Sequence, residues 1–235
     1  MRYLLILALV CGGGGKLLAG TDTMVEPVNL SRVKSAVRAY YDEGGYARDL
    51  ARVANEVITW IRVRKAAATA QERLAIVLDI DETVLSNYPH MDREDFGYNP
   101  PDWIAWVDQG AAPAIKEVKA VYDEARRLGV AVFFITGRSD PAEKAGTLKN
   151  LKREGMGDYV KIFFKGVEDT APTAAERKAM RRAQIEAKGW TIIASVGDQV
   201  SDLVGGHTER GFKLPNPFYE RKVTRPVRTQ SSAVE

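Results

Sequence analysis

Acidic and hydroxyl side chains at three separate points of this sequence have the types and spacing for cation-assisted chemistry. Asp79 and Asp81 follow the apolar run Leu74-Ala75-Ile76-Val77-Leu78; Thr136-Gly137-Arg138 follows Val130 to Ile135; Gly197-Asp198, with Asp202 beyond it, follows Thr191 to Val196. Each run is short, unbroken and rich in branched side chains, as a strand buried on both faces requires. Ligands bind where parallel strands end, so these polar tips are expected to converge on one sheet edge. Residues at i and i+2 of an extended chain point the same way, which sends Asp79 and Asp81 into one pocket. Carboxylates gathered that closely raise one another's pKa, and a hard divalent cation held by oxygen ligands relieves the conflict.

The elements needed to hold these tips are legible in the periodicity. Helical patterns over Ala114 to Leu128, Pro141 to Arg153 and Thr173 to Lys188 alternate with the strand-like runs, which also include Tyr159 to Phe164. Gly129, Gly155 and Gly189 stand where helix C-caps would fall. Alternation of this kind predicts an α/β fold, a doubly wound parallel sheet with helices on both faces. Two amphipathic helices precede it: Val33, Val37 and Tyr40 share one face before the Gly44-Gly45 break, and Leu50, Val53, Ala54, Val57, Ile58 and Ile61 recur at helical spacing after it. Residues 87–112 are too long for an ordinary connection and read as an inserted small cap.

Composition excludes several other chemistries. A chain of 235 residues buries one substantial core, and a net charge of +3 from 34 basic and 31 acidic residues, interleaved, leaves no footprint for a nucleic-acid polymer. One cysteine, Cys11, and two histidines, His90 and His207, are too few for a disulfide framework or a multi-histidine zinc site. The apolar run Leu4 to Val10 is too short to span a bilayer and reads as the core of a signal peptide over residues 1–20. Cys11 ends that run and precedes Gly12 to Gly15, a tether-like stretch, which leaves two outcomes: acylation at Cys11 as a membrane-anchored lipoprotein, or cleavage near Gly20. The main domain is expected over residues 27–218, with a mobile basic tail over 219–235.

Taken together, the tips are specific. Val77-Leu78-Asp79-Ile80-Asp81-Glu82-Thr83-Val84-Leu85-Ser86-Asn87, Phe134-Ile135-Thr136-Gly137-Arg138 and Gly197-Asp198-Gln199-Val200-Ser201-Asp202 resemble the first, second and fourth motifs of the haloacid dehalogenase (HAD) superfamily of phosphatases. Within it the chain is similar to the class C (subfamily IIIB) acid phosphatases of bacterial surfaces and their plant acid phosphatase and vegetative storage protein relatives. Trp103 to Val107 and Lys213-Leu214-Pro215-Asn216-Pro217 extend the likeness over nearly the whole chain after the signal segment.

The resemblance implies a HAD-like fold, export to the bacterial periplasm, outer membrane or cell surface, and Mg²⁺-dependent hydrolysis of small phosphate monoesters, nucleoside monophosphates among them, at acidic to near-neutral pH. It implies Asp79 as the nucleophile that becomes an aspartyl-phosphate, and Asp81 as the acid and base. Thr136, Gly137 and Arg138 would receive the phosphoryl group; Asp79, Asp81 through its carbonyl and Asp198 would hold the metal, with Asp202 at the metal site holding metal-bound water or orienting Lys178. Two lysines compete for the cationic role, Lys165 directly after a strand and Lys178 on the following helix; family spacing selects Lys178 for catalysis and substrate binding. Arg138 is left with two roles, contact with phosphate or pairing with a nearby acid. Tyr88, Phe96, Tyr98, Trp103 and Trp106 in the insertion either stack on a substrate ring or form the cap's own core, and His90 either reaches the pocket or sits on a loop. Two rivals share the fold: a storage or binding protein with little turnover, and a phosphotransferase that passes the phosphoryl to an alcohol.

Overall fold

The computed structural model describes residues 27–221. The signal segment with Cys11, and the tail beyond Arg221, lie outside the described residues. Five parallel strands form the sheet in the order β3-β2-β1-β4-β5: β1 (Leu74–Leu78), β2 (Ala131–Ser139), β3 (Lys161–Lys165), β4 (Thr191–Gly197) and β5 (Gly211–Lys213). The chain winds outward from β1 to β3, then crosses back to lay β4 on the other flank of β1. The switch point therefore lies between β1 and β4, where a doubly wound sheet opens a crevice.

Helices α1 (Leu30–Asp42) and α2 (Gly45–Ala66) precede the sheet, and α5 (Lys116–Arg127), α6 (Lys144–Arg153) and α7 (Ala174–Glu186) make the crossovers. Strand β1 is buried on both faces, as its unbroken apolar run predicts, and its residues divide by alternation. Leu74, Ile76 and Leu78 join the large core with Leu50, Val57 and Ile61 of α2 and Val118 and Val121 of α5. Ala75 and Val77 join a smaller core on the opposite face, with Phe133, Ile135 and Ile185 of α7. Trp60 of α2 donates its indole N–H to the Ile193 carbonyl at 2.7 Å, tying the N-terminal pair to β4.

Three departures from the sequence reading bear on the site. Strand β2 runs on through Thr136-Gly137-Arg138 to Ser139, because after a shift in register Ser139 pairs with Lys165. Strand β5 is only three residues long, too short to show a period, and was not foreseen. Residues 219–221, assigned from sequence to the tail, instead lie against the sheet edge, with the Arg221 N–H donating to Gln199 Oε1 at 2.9 Å.

The insertion folds as α3 (Tyr88–Arg93) and α4 (Pro100–Gln109). Helix α4 lies so close to α6 that a Cβ at Gly146 would stand 2.2 Å from the Val107 carbonyl oxygen. Both partners there are backbone, so neither can swing away. Gly146→Ala should therefore cost about 1–3 kcal/mol of stability by overpacking, read as a drop in the urea midpoint with unchanged slope. An alanine variant as stable as the parent would refute this tight helix contact.

Candidate active site

The turn after β1 is built to aim its carboxylates. The N–H groups of Thr83, Val84 and Leu85 all donate to the Ile80 carbonyl, and Glu82 adopts a left-handed φ of 51°. A non-glycine residue pays for such a conformation, and here the surroundings hold it: the Glu82 carboxyl accepts from the Asn87 N–H at 2.6 Å and from the Tyr219 hydroxyl at 3.1 Å. Burial, with the adjacent charge of Asp81, pushes the Glu82 carboxyl up to about 8. No backbone N–H of the described residues donates to the Asp81 carbonyl, which is left free to ligate.

Asp79, Asp198 and Asp202 are buried and each offers an oxygen within 4.8 Å of the others. They come from the tip of β1, the tip of β4 and the 3-10 turn Val200–Asp202 that follows it. Lys178, buried on α7, donates to Asp79 Oδ1 at 2.7 Å and also pairs with Asp202 Oδ1. Burial alone would lower the Lys178 pKa, but Asp202 and Asp79 hold it above its ordinary value. Lys165, the competing lysine, ends β3 on the exposed side and is not in this cluster.

Among the described residues one ammonium is the only cation paired with these three buried carboxylates, although Arg177 and Arg221 line the same cleft without bonding to them. Asp198 is bonded only to neutral donors: Gln199 Nε2 at 2.5 Å, Asn216 Nδ2 at 2.7 Å and Thr83 Oγ1 at 3.3 Å. Burial and the nearby Asp202 push its carboxyl up, and burial with the charges of Asp202 and Asp198 pushes Asp79 well up. This donor set, hard, anionic and deficient in positive charge, fits a divalent cation.

Asp81 lines a cleft with Asp79 but is bound by other partners. Its Oδ1 accepts from Arg138 Nε at 3.0 Å, from Arg138 Nη2 at 2.7 Å and from Asn87 Nδ2 at 2.9 Å. Burial raises the Asp81 carboxyl, but the Arg138 guanidinium and the Asn87 amide more than offset it and leave it below its ordinary value. Of the two roles open to Arg138, the structure therefore displays pairing with an acid; its Nη1 is also spent, on Thr147 Oγ1 at 3.0 Å. Thr136, fully buried at the same edge, accepts the Arg138 N–H on its hydroxyl at 3.0 Å, which leaves the hydroxyl proton to donate elsewhere.

A cavity of about 430 Å³ opens beside Asp81 under the insertion, with His90, Phe96, Tyr98 and Trp103 on its walls. The aromatics divide between the two roles open to them. Trp106 is core, donating to Asn87 Oδ1 at 2.9 Å and stacking on His90, whereas Tyr98 is 74% exposed at the mouth. Trp103 lies between, its indole N–H held by Glu143 Oε1 at 2.6 Å.

Sequence reasoning gave no role to Asn87, Gln199, Asn216, Tyr219 or Arg221. Asn87 links Asp81, Glu82 and Trp106, so it couples the insertion to the β1 turn. Its place inside the first motif was the one signal available.

Comparison with known proteins shows the family. Residues 18–222 match the family described as HAD superfamily, subfamily IIIB (Acid phosphatase). The chain is 33% identical over 207 residues to acid phosphatase 1 of Solanum lycopersicum, covering 83% of this chain and 80% of that protein. It is 38% identical over 149 residues to the stem 28 kDa glycoprotein of Glycine max, covering 61% of this chain and 58% of that one. In fold it resembles the class C acid phosphatase from Bacillus anthracis, with a TM-score of 0.67 and 23% identity over 81% of this chain and 86% of that chain. With a match over nearly its full length and a sheet edge that gathers the same motifs, the chain belongs to subfamily IIIB of the HAD superfamily, the acid phosphatases, and is by that membership a phosphomonoesterase.

Proposed function

We propose that this protein hydrolyses small phosphate monoesters through a phospho-aspartate on Asp79, with Mg²⁺ held by Asp79, Asp198, Asp202 and the Asp81 carbonyl. The observation that carries the reading is the buried carboxylate cluster with too few cations. When bound, Mg²⁺ neutralises the phosphoryl oxygens and the carboxylates together, so that a weakly nucleophilic carboxylate can attack phosphorus.

The protein's own residues do the rest. Asp79 attacks in line, forming its bond to phosphorus as the bond to the ester oxygen breaks. Asp81, fixed by Arg138 and Asn87 and held ionised by them, first takes a proton from the monoanionic phosphate ester, passes it to the leaving oxygen, and later takes one from the water that cleaves the acyl phosphate. Thr136 and the Gly137 N–H donate to the phosphoryl oxygens, and Lys178 supports both Asp79 and the developing charge. Orthophosphate leaves and Asp79 is regenerated, so no histidine is needed.

The aromatic cavity beside Asp81 supports substrates whose leaving group carries a planar ring, such as nucleoside monophosphates. Export by residues 1–20, with or without acylation at Cys11, completes the reading, and mass spectrometry of the mature N-terminus distinguishes the two.

Asp79→Asn should lower kcat on p-nitrophenyl phosphate by roughly a thousandfold or more without loss of thermal stability. Retention of the parent rate would remove Asp79 from the chemistry. Chelation should abolish turnover and added Mg²⁺ restore it; equal rates with chelator present would exclude the metal. A folded parent with no turnover would favour the storage reading, and phosphate passed to added alcohols in place of free orthophosphate would favour a transferase. For the leaving group, Tyr98→Ala should reduce kcat/KM for adenosine monophosphate about tenfold, the worth of one stacked base, and leave glycerol phosphate unchanged. Equal effects on both substrates would count against ring recognition.

A further inference from the structure

Two arginines at the Asp79 pocket have no part in the mechanism above. Arg177 precedes Lys178 on α7 and is only 8% exposed, yet among the described residues its guanidinium makes no hydrogen bond and no ion pair. Its neighbours are fully engaged. Lys178 is spent on Asp79 and Asp202, Arg181 on Asp169 at 2.5 Å, and Arg182 on the carbonyls of Asp202, Val204 and Gly206. The Arg177 side chain is largely buried, but its nitrogens are not among the fully buried, unpartnered ones, so they reach the cleft with their donors open to a ligand.

Arg177 lines one narrow cleft with Asp79, Asp81, Gly137 and Lys178, and Arg221 lines the same cleft from the far side. Arg221 is placed by its backbone N–H on Gln199 Oε1, and its guanidinium also makes no ion pair among the described residues. Its Nη1 lies 3.1 Å from the point a Cβ on Gly137 would occupy, so the guanidinium rests over the glycine that follows Thr136. The two arginines also sense each other. Burial lowers the Arg177 pKa from its ordinary value, and the like charge of Arg221 pushes it the same way. Asp79 and Asp81 in the same cleft offset part of this repulsion, but among the described residues neither is within hydrogen-bonding or ion-pair reach of the two guanidiniums, whose donors remain open toward the cleft.

We propose that Arg177 and Arg221 form a clamp that grips the phosphoryl group of the substrate from the two sides of the Asp79 cleft. The inference deepens the proposed function and rests on it. Guanidiniums suit the task because their planar donor fork matches phosphate oxygens. The clamp binds the phosphoryl group whatever the leaving group is, so it sets affinity for phosphate itself. Arg221 enters on the last described residues, so the segment after β5 brings a substrate ligand to the pocket and does more than cover it.

Calorimetric titration with inorganic phosphate in the presence of Mg²⁺ tests the clamp without needing turnover. Arg177→Gln and Arg221→Gln should each raise the phosphate Kd tenfold to a hundredfold, the usual worth of charge-assisted hydrogen bonds. The double variant should lose more than either, and Arg177→Lys and Arg221→Lys should recover part of the affinity by restoring charge without the fork. The thermal midpoint of each variant reports folding, and the lysine forms carry the test if a glutamine form does not fold. A phosphate Kd within threefold of the parent in either folded glutamine variant, or lysine forms no tighter than the glutamine forms, would overturn the proposal. Failure of the parent to hydrolyse phosphate monoesters while still binding phosphate through both arginines would instead reject the proposed function and leave the clamp standing.

Discussion

The carboxyl edge of this sheet is organised around three buried carboxylates that share a single directly bonded cation. Asp79, Asp198 and Asp202 meet within 4.8 Å, and the lone ammonium among them, that of Lys178, contacts two of the three. Isolated, such a cluster would oppose folding, because each buried carboxylate must either find a cation or take up a proton. The deficit is also what makes the site useful. Under the proposed mechanism a divalent ion drawn to it would stand beside Asp79, and a phosphoryl dianion would find cationic groups already in place.

The fold meets that constraint by keeping the two acids of the first motif apart in function although they are two residues apart in sequence. Asp79 turns toward Lys178 and β4, while Asp81 is bound by Arg138 and Asn87 and faces the aromatic cavity. The left-handed turn at Glu82, braced by Asn87 and Tyr219, carries the chain away immediately beyond them. The two carboxylates thus have different partners, as the roles proposed for them require. The division comes from different partners, not different residue types.

The insertion and the C-terminal segment complete the pocket from opposite sides. Helix α4 reaches the β1 turn through Trp106 and Asn87 and reaches the β2 end through Trp103 and Glu143. Ser139 and its N–H both donate to Glu143 Oε2, so the aromatic wall is fastened to the strand that carries Thr136 and Gly137. From the other side, Asn216 and Gln199 reach Asp198, and the Tyr219 hydroxyl reaches Glu82. The walls of the pocket are therefore supported by segments that the sheet itself does not supply.

The strands β1, β2 and β4, the crossover helices and the polar residues at their tips were readable in the sequence, because unbroken apolar runs, helical periods and glycine caps are local signals that the packed core then respects. The gathering of Asp79, Asp198 and Asp202 was also readable, since in a doubly wound sheet strand ends must share an edge. What required tertiary structure was the partner of each charge. Arg138 pairs with Asp81, Lys178 rather than Lys165 reaches Asp79, and Tyr219 and Arg221 come back to the pocket from a segment that reads as a tail. Those outcomes depend on distances between residues up to 137 positions apart, as for Tyr219 and Glu82, and no local pattern encodes which of several arginines or lysines will be the one within reach.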